Sequence, residues 1–138
     1  MSLKITLKAN ERMIIGGTVI RNGGAKCNLL IENNVPILRE KDIIGEKEAN
    51  THAKRIYFTI QLMYIDSDNL KIHHGVYWKL VHQLIKAAPS TVGIIDQISE
   101  MIVSNHFYKA LKFAKELIYY EEEVIRRASK SVASLSVG

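Results

Sequence analysis

Two apolar rhythms divide this chain, and the point where one gives way to the other constrains the fold more than any other feature. Up to Arg39 the apolar side chains alternate with polar ones or cluster in short runs between turn residues. Beyond Thr51 they return every three or four positions. The first rhythm belongs to β-strands and the second to amphipathic helices. The change falls within Val35–Ile44, Val-Pro-Ile-Leu-Arg-Glu-Lys-Asp-Ile-Ile. Val35 to Leu38 reads as a strand, with Pro36 marking its start or a sheet edge. Arg39, Glu40, Lys41 and Asp42 then set four alternating charges at the strand exit, before Ile43 and Ile44 return to the core.

Leu3, Ile5 and Leu7 alternate with Lys4, Thr6 and Lys8, the pattern of a half-buried strand that turns its lysines to solvent. Ala9-Asn10-Glu11 turns the chain. Met13–Ile15 and Thr18–Arg21 are further short strands, separated by Gly16-Gly17. Asn22-Gly23-Gly24 supplies residues tolerant of positive φ for a hairpin. Lys26–Glu32 and Val35–Arg39 complete five strands in a small, highly twisted antiparallel unit.

Thr51 is placed to cap a helix in which Ile56, Ile60, Met63 and Tyr64 share a face. Arg55–Ile65 is also rich in β-branched and aromatic residues, so a long strand is the rival reading; helix is favoured. After Asp66-Ser67-Asp68-Asn69, a second helix buries Tyr77, Leu80, Val81, Leu84 and Ile85. Lys71, Lys79, His82 and Lys86 lie roughly opposite, as a solvated surface or a partner contact. A third helix turns Ile94, Ile95, Ile98, Met101 and Ile102 inward and ends near Ser104-Asn105. A fourth carries its stripe from Phe107 to Val124, and from Ala128 the periodicity is lost in what reads as a frayed tail. The fold class is therefore α+β. Residues 1–45 form the β-rich unit, residues 46–127 a helical part packed with it in one domain, and residues 128–138 the tail.

A chain of 138 residues can bury a core without disulfides or metals. Cys27 stands alone in a strand, as a small buried hydrophobe in a reducing compartment would. No apolar run reaches the length of a membrane span and the N-terminus has no signal-peptide core, so a cytoplasmic protein with no membrane contact is expected. The net charge is +5. Seven of the basic residues and four of the acidic ones fall in residues 1–45, so the excess is denser in the strand half, as suits a polyanion partner.

Catalytic constellations are missing from the sequence. The glycine pairs sit between strands, with no Lys-Ser/Thr after them to cradle a phosphate. His73, His74 and His82 lack metal-ligand spacing, and a solvent-facing or edge role accounts for them. Glu121-Glu122-Glu123 reads as a solvated face or partner contact, and Trp78 as a marker of a partner surface. No catalytic residue, metal or cofactor is expected, and the chain reads as a non-enzyme.

Three stretches, Leu3-Lys4-Ile5-Thr6-Leu7-Lys8, Val35–Ile43 and Arg55–Asp66, together resemble the FlbT family of flagellin-synthesis regulators. A fourth, Tyr108-Lys109-Ala110-Leu111-Lys112 through Leu117-Ile118, is similar to that family's last helix, so the likeness spans about residues 2–125. It implies a post-transcriptional role: association with the 5′ untranslated leader of flagellin mRNA, controlling its translation or stability, with a FlaF-like protein acting in opposition. Some members activate rather than repress, so the sign of regulation does not carry over. The resemblance leaves a second role open, an adaptor that binds FlaF or flagellin and reaches the mRNA only indirectly.

Within the strand half, Glu11…Met13-Ile14-Ile15-Gly16, Val35-Pro36 and Leu38-Arg39-Glu40…Ile43 resemble the CsrA family of small mRNA-binding regulators. That similarity implies a CsrA-like sheet with neighbouring first and fifth strands, a homodimer, and RNA contact through Arg39 and Lys8. The match departs from the family at Leu38, Asn10 and Leu7-Lys8. Independently of either family, a guanidinium leaving a strand beside Lys41, near Lys4 and Lys8 if the edge strands meet, can fork to phosphate or guanine. The alternative is a surface ion pair of Arg39 with Glu40 or Asp42. Arg39, Lys41, Lys4 and Lys8 are thus the candidate RNA-binding residues.

Overall fold

Five strands come first and four helices follow. The structure, a computed structural model, describes residues 2–137, with side chains through Val132. The strands are β1 (Leu3–Leu7), β2 (Arg12–Ile15), β3 (Thr18–Arg21), β4 (Cys27–Ile31) and β5 (Ile37–Arg39). Single 3-10 turns at Glu40–Asp42 and Glu46–Glu48 lead into α1 (His52–Ile65), α2 (Leu70–Ala87), α3 (Val92–Val103) and α4 (Phe107–Val137). Arg55–Ile65 is helix throughout, and the strands end before residue 40, as expected from the sequence.

The strands form two antiparallel sheets, one of β1 and β4 and one in the order β3-β2-β5. Because side chains alternate across a strand, the consecutive apolar residues of β2 and β5 serve two layers. Ile14 and Leu38 point into the helical core, while Met13, Ile15 and Ile37 meet Ile5, Leu7, Leu29 and Ile31 of the β1–β4 pair. The three-stranded sheet is therefore the middle layer, covered by helices on one face and by the β1–β4 pair on the other.

Three expectations for the strand half need correction. β1 and β5 are not paired neighbours, since β1 pairs with β4 and β5 with β2. Asn22-Gly23-Gly24 is no hairpin but the crossover from one sheet to the other. The Asn22 amide holds it by donating to the Leu7, Lys8 and Ala25 carbonyls at 3.0–3.2 Å. The positive φ values fall instead at Gly16 (+58°), in the two-residue β2–β3 hairpin, and at Asn10 (+64°), in the β1–β2 turn. Cys27 is exposed rather than buried: it shares the face of Leu29 and Ile31 but is the first residue of β4, at the very end of the β1–β4 pair.

The 40–45 connector is fastened to the helices through polar groups. Asp42, nearly buried, pairs with Lys115 of α4, and its carbonyl accepts the Tyr57 hydroxyl at 2.6 Å. Burial pushes that phenol well above its ordinary range, so it stays a neutral donor. Gln61 closes a reciprocal pair of hydrogen bonds with the backbone of Ile44, at 2.9 and 3.0 Å. α1 lies among α2, α4 and the sheet, with Ile56, Tyr57, Ile60 and Met63 all buried.

Thr51 caps α1 through the Lys54 amide at 3.2 Å, and Glu121 of α4 accepts from the Ala53 amide at 3.1 Å. The acidic run therefore supplies a carboxylate to a helix N-terminus, a favourable charge at that end. Glu121→Ala should lower stability by about 1 kcal/mol, read as an earlier urea midpoint with an unchanged slope; an unmoved midpoint would refute the cap. On α2, Tyr77 is buried with its hydroxyl 2.8 Å from Ser99 of α3, and burial pushes its ionisation up to about 12. In place of the expected fraying from Ala128, the backbone of α4 stays helical to Val137. The stripe is nonetheless lost, with residues 128–132 exposed, and no Pro or Gly interrupts the helix there. Residue 138 of the expected tail lies outside the described residues.

Candidate nucleic-acid interface

The β1–β2 turn and the exit of β5 meet in an open cleft of about 700 Å3. Tight backbone bonding shapes the turn: Glu11 N–H reaches the Lys8 carbonyl at 3.1 Å, and Asn10 N–H reaches that of Asn22 at 2.7 Å. The Arg21 guanidinium donates to the Asn10 carbonyl at 3.0 Å. This bonding fixes the Lys8 backbone at one rim of the cleft, with Arg39, Glu40 and Lys41 opposite.

Arg39 shares the β5 face of Ile37, the face toward the β1–β4 pair. One guanidinium nitrogen therefore donates to the Thr6 carbonyl at 2.8 Å and to the Glu11 carboxylate at 3.0 Å. Its Nε is buried without a partner, yet 37% of the side chain remains exposed. The ion pair foreseen with Glu40 or Asp42 is thus made with Glu11. Glu40 instead accepts from Arg12 at 3.4 Å, and Asp42 is taken by Lys115. Of the four charges leaving β5, Lys41 alone is in no ion pair among the described residues.

The structure brings Lys8, Arg39 and Lys41 to one cleft but not Lys4, which lies on the exposed side of β1 opposite Leu30. Three cations face two carboxylates here, so the lining is only mildly positive. Glu11, Asn10 and Arg12 are the residues that sequence reasoning left out. The Glu11…Met13 turn motif was the signal that could have brought Glu11 in.

The Glu11 carboxyl is held below its ordinary value of 4.5, first by the Lys8 amide and then by Arg39. A carboxyl lowered on folding stabilises the protein above its unfolded value, and that contribution disappears as pH falls through the folded one. Stability should thus decline below about pH 4.5, and less steeply in Glu11→Gln. His73 and Asn69 lower Asp66, and Arg126 lowers Glu123, so part of the decline will persist in that variant. Equal acid profiles for the two proteins would remove Glu11 from the account.

Elsewhere His73 lies 2.9 Å from Asp66, in a local contact at the start of α2. Among the described residues no three His, Cys, Asp or Glu side chains gather as a metal site, and no helix is long and apolar enough to cross a membrane. Trp78 is 44% exposed, edge-on to Tyr77 with ring centres 4.9 Å apart.

Fold and cleft define a small α+β protein whose strand layers carry a cationic notch on a helical base. The family described as flagellar protein FlbT matches residues 3–125, and the chain belongs to that family. It is 46% identical over 125 residues to the probable flagellum biosynthesis repressor protein FlbT 1 of Bradyrhizobium diazoefficiens, covering 90% of this chain and 85% of that one. A Rhodopseudomonas palustris relative is 41% identical over 127 residues, covering 92% of this chain and all of its own. The flagellum biosynthesis repressor protein FlbT of Caulobacter vibrioides is 30% identical over 136 residues, covering 97% and 96%. No solved structure matches the chain significantly.

Proposed function

We propose that this protein regulates flagellar synthesis post-transcriptionally, binding the 5′ untranslated leader of flagellin mRNA and controlling its translation or stability. Membership of a family whose relatives are named flagellum biosynthesis repressors supports the regulatory part. The observation that carries the RNA part is the cleft. Lys8 and Lys41 are in no ion pair among the described residues, and Arg39 keeps a third of its side chain open between them. Lysines there neutralise phosphates, and the guanidinium is placed to fork to a phosphate or a guanine edge. Lys4, one sheet away, extends the contact along β1. A FlaF-like protein acts in opposition, through the helices.

Titration of purified protein with a flagellin leader at increasing salt tests this. Phosphate contacts make affinity fall linearly on logarithmic axes, with a slope of about −0.7 per contact on a single strand. Absence of leader binding, or binding indifferent to salt, would overturn the RNA reading in favour of an adaptor that engages FlaF or flagellin.

A further inference from the structure

Part of the positive charge at the cleft is already engaged. Arg39 is held by Glu11 and the Thr6 carbonyl, Arg12 beside the cleft is held by Glu40, and of the lining cations Lys8 and Lys41 are in no ion pair among the described residues. Two lysines give little electrostatic purchase on a polyanion, so tight leader binding needs phosphate contacts elsewhere. A further row of lysines in no ion pair is on α2. Its 18 residues contain three lysines and three histidines and no carboxylate, and none of Lys71, Lys79 and Lys86 is in an ion pair among the described residues.

At 100° per residue the buried line through Tyr77, Val81 and Leu84 leaves Lys79 and Lys86 close to the opposite, outward direction, with Lys71 roughly 70° to one side of it. They are spaced roughly 12 and 10 Å apart along the axis, at 1.5 Å per residue. On that side Lys71 shares its direction with Trp78 and His82, and Trp78 offers an exposed ring anchored against Tyr77. Ile72 and Val76 are exposed on the other margin. Unpaired cations in file beside a fixed, accessible aromatic match what a single strand requires: phosphates to neutralise and a base to stack.

We propose that the outward face of α2 is a second contact surface for single-stranded RNA, seating phosphates on Lys71, Lys79 and Lys86 and stacking a base on Trp78. This rests on the leader-binding reading and adds to it a surface separate from the cleft.

The test is fluorescence anisotropy with a labelled flagellin leader and the full chain, across a salt series. It compares the parent, the triple Lys71→Gln/Lys79→Gln/Lys86→Gln variant, Trp78→Ala, and Lys8→Gln/Lys41→Gln. The triple variant should bind about tenfold or more weakly at low salt, with a slope shallower by about two. Trp78→Ala should weaken binding by roughly five- to a hundredfold with little change of slope. The lysines are exposed, so the triple variant keeps its fold even if Trp78→Ala does not, and thermal melts establish which variants are comparable. A triple variant that binds like the parent, while Lys8→Gln/Lys41→Gln is weakened, overturns the α2 surface and leaves the leader reading standing; that face then serves a protein partner or solvent. A parent that does not bind the leader overturns both.

Discussion

Leu38→Ala should destabilise the protein by about 2–5 kcal/mol and lower its melting temperature by about 10 °C or more. Leu38 is fully buried at the centre of β5, paired with Ile14 and facing the helical core. Truncation there leaves a cavity walled on one side by a sheet and on the other by packed helices. The middle sheet cannot sink into that cavity, because its other face holds Met13, Ile15 and Ile37 against the β1–β4 pair. The part-buried Asp42–Lys115 pair and the buried Tyr57 contact just beyond β5 further resist collapse. Leu3→Ala is the control, since Leu3 is more than half exposed and should cost little. A loss below about 1 kcal/mol for Leu38→Ala, with an unchanged denaturant slope, would mean that the layers are not coupled through β5.

What could be read from sequence follows from how local each feature is. Helix and strand placement depends on side-chain period within a few residues, so the five strands, the Thr51 cap and the end of α3 near Ser104 were all legible. α1 was ambiguous for a physical reason. It is buried on several sides, so Arg55–Ile65 lacks the long polar face that marks a surface helix. Pairing was not legible, because alternation tells which face of a strand is apolar but not which strand lies beside it. The unbroken apolar runs Met13-Ile14-Ile15 and Ile37-Leu38 could have signalled a sheet covered on both faces. Site chemistry was half visible: the sequence marks Lys8, Arg39 and Lys41 as outward cations. Which charged groups are engaged depends on partners far along the chain, Glu11 for Arg39, Lys115 for Asp42, and Ala53 for Glu121. Composition and spacing carry no trace of such pairs.

Arg39→Ala should weaken leader binding by about 1–3 kcal/mol if the guanidinium forks to a base, and its interpretation depends on Glu11. In the free protein one guanidinium nitrogen is shared between the Thr6 carbonyl and the Glu11 carboxylate, Nε is buried without a partner, and about a third of the side chain stays exposed at the cleft. Removing Arg39 therefore loses a tie between β5 and the β1–β2 turn together with a cation, and weaker binding alone would not separate the two effects. Glu11→Gln separates them. It keeps the size of the side chain and one carbonyl oxygen, which can serve Arg39 or the Lys8 amide where the carboxylate serves both, and it removes the negative charge that competes with RNA. If Arg39 reads the leader, Glu11→Gln should bind more tightly than the parent, and its salt slope should steepen by up to about 0.7 as one cation is released for phosphate. Lys8→Ala or Lys41→Ala should shift the slope the other way by a similar amount, with a smaller loss of affinity than Arg39→Ala. Circular dichroism of each variant checks the fold. Should a folded Arg39→Ala bind leader RNA like the parent, and Glu11→Gln leave both affinity and slope unmoved, then Arg39 is a structural clamp only and the cleft is not where the leader is read.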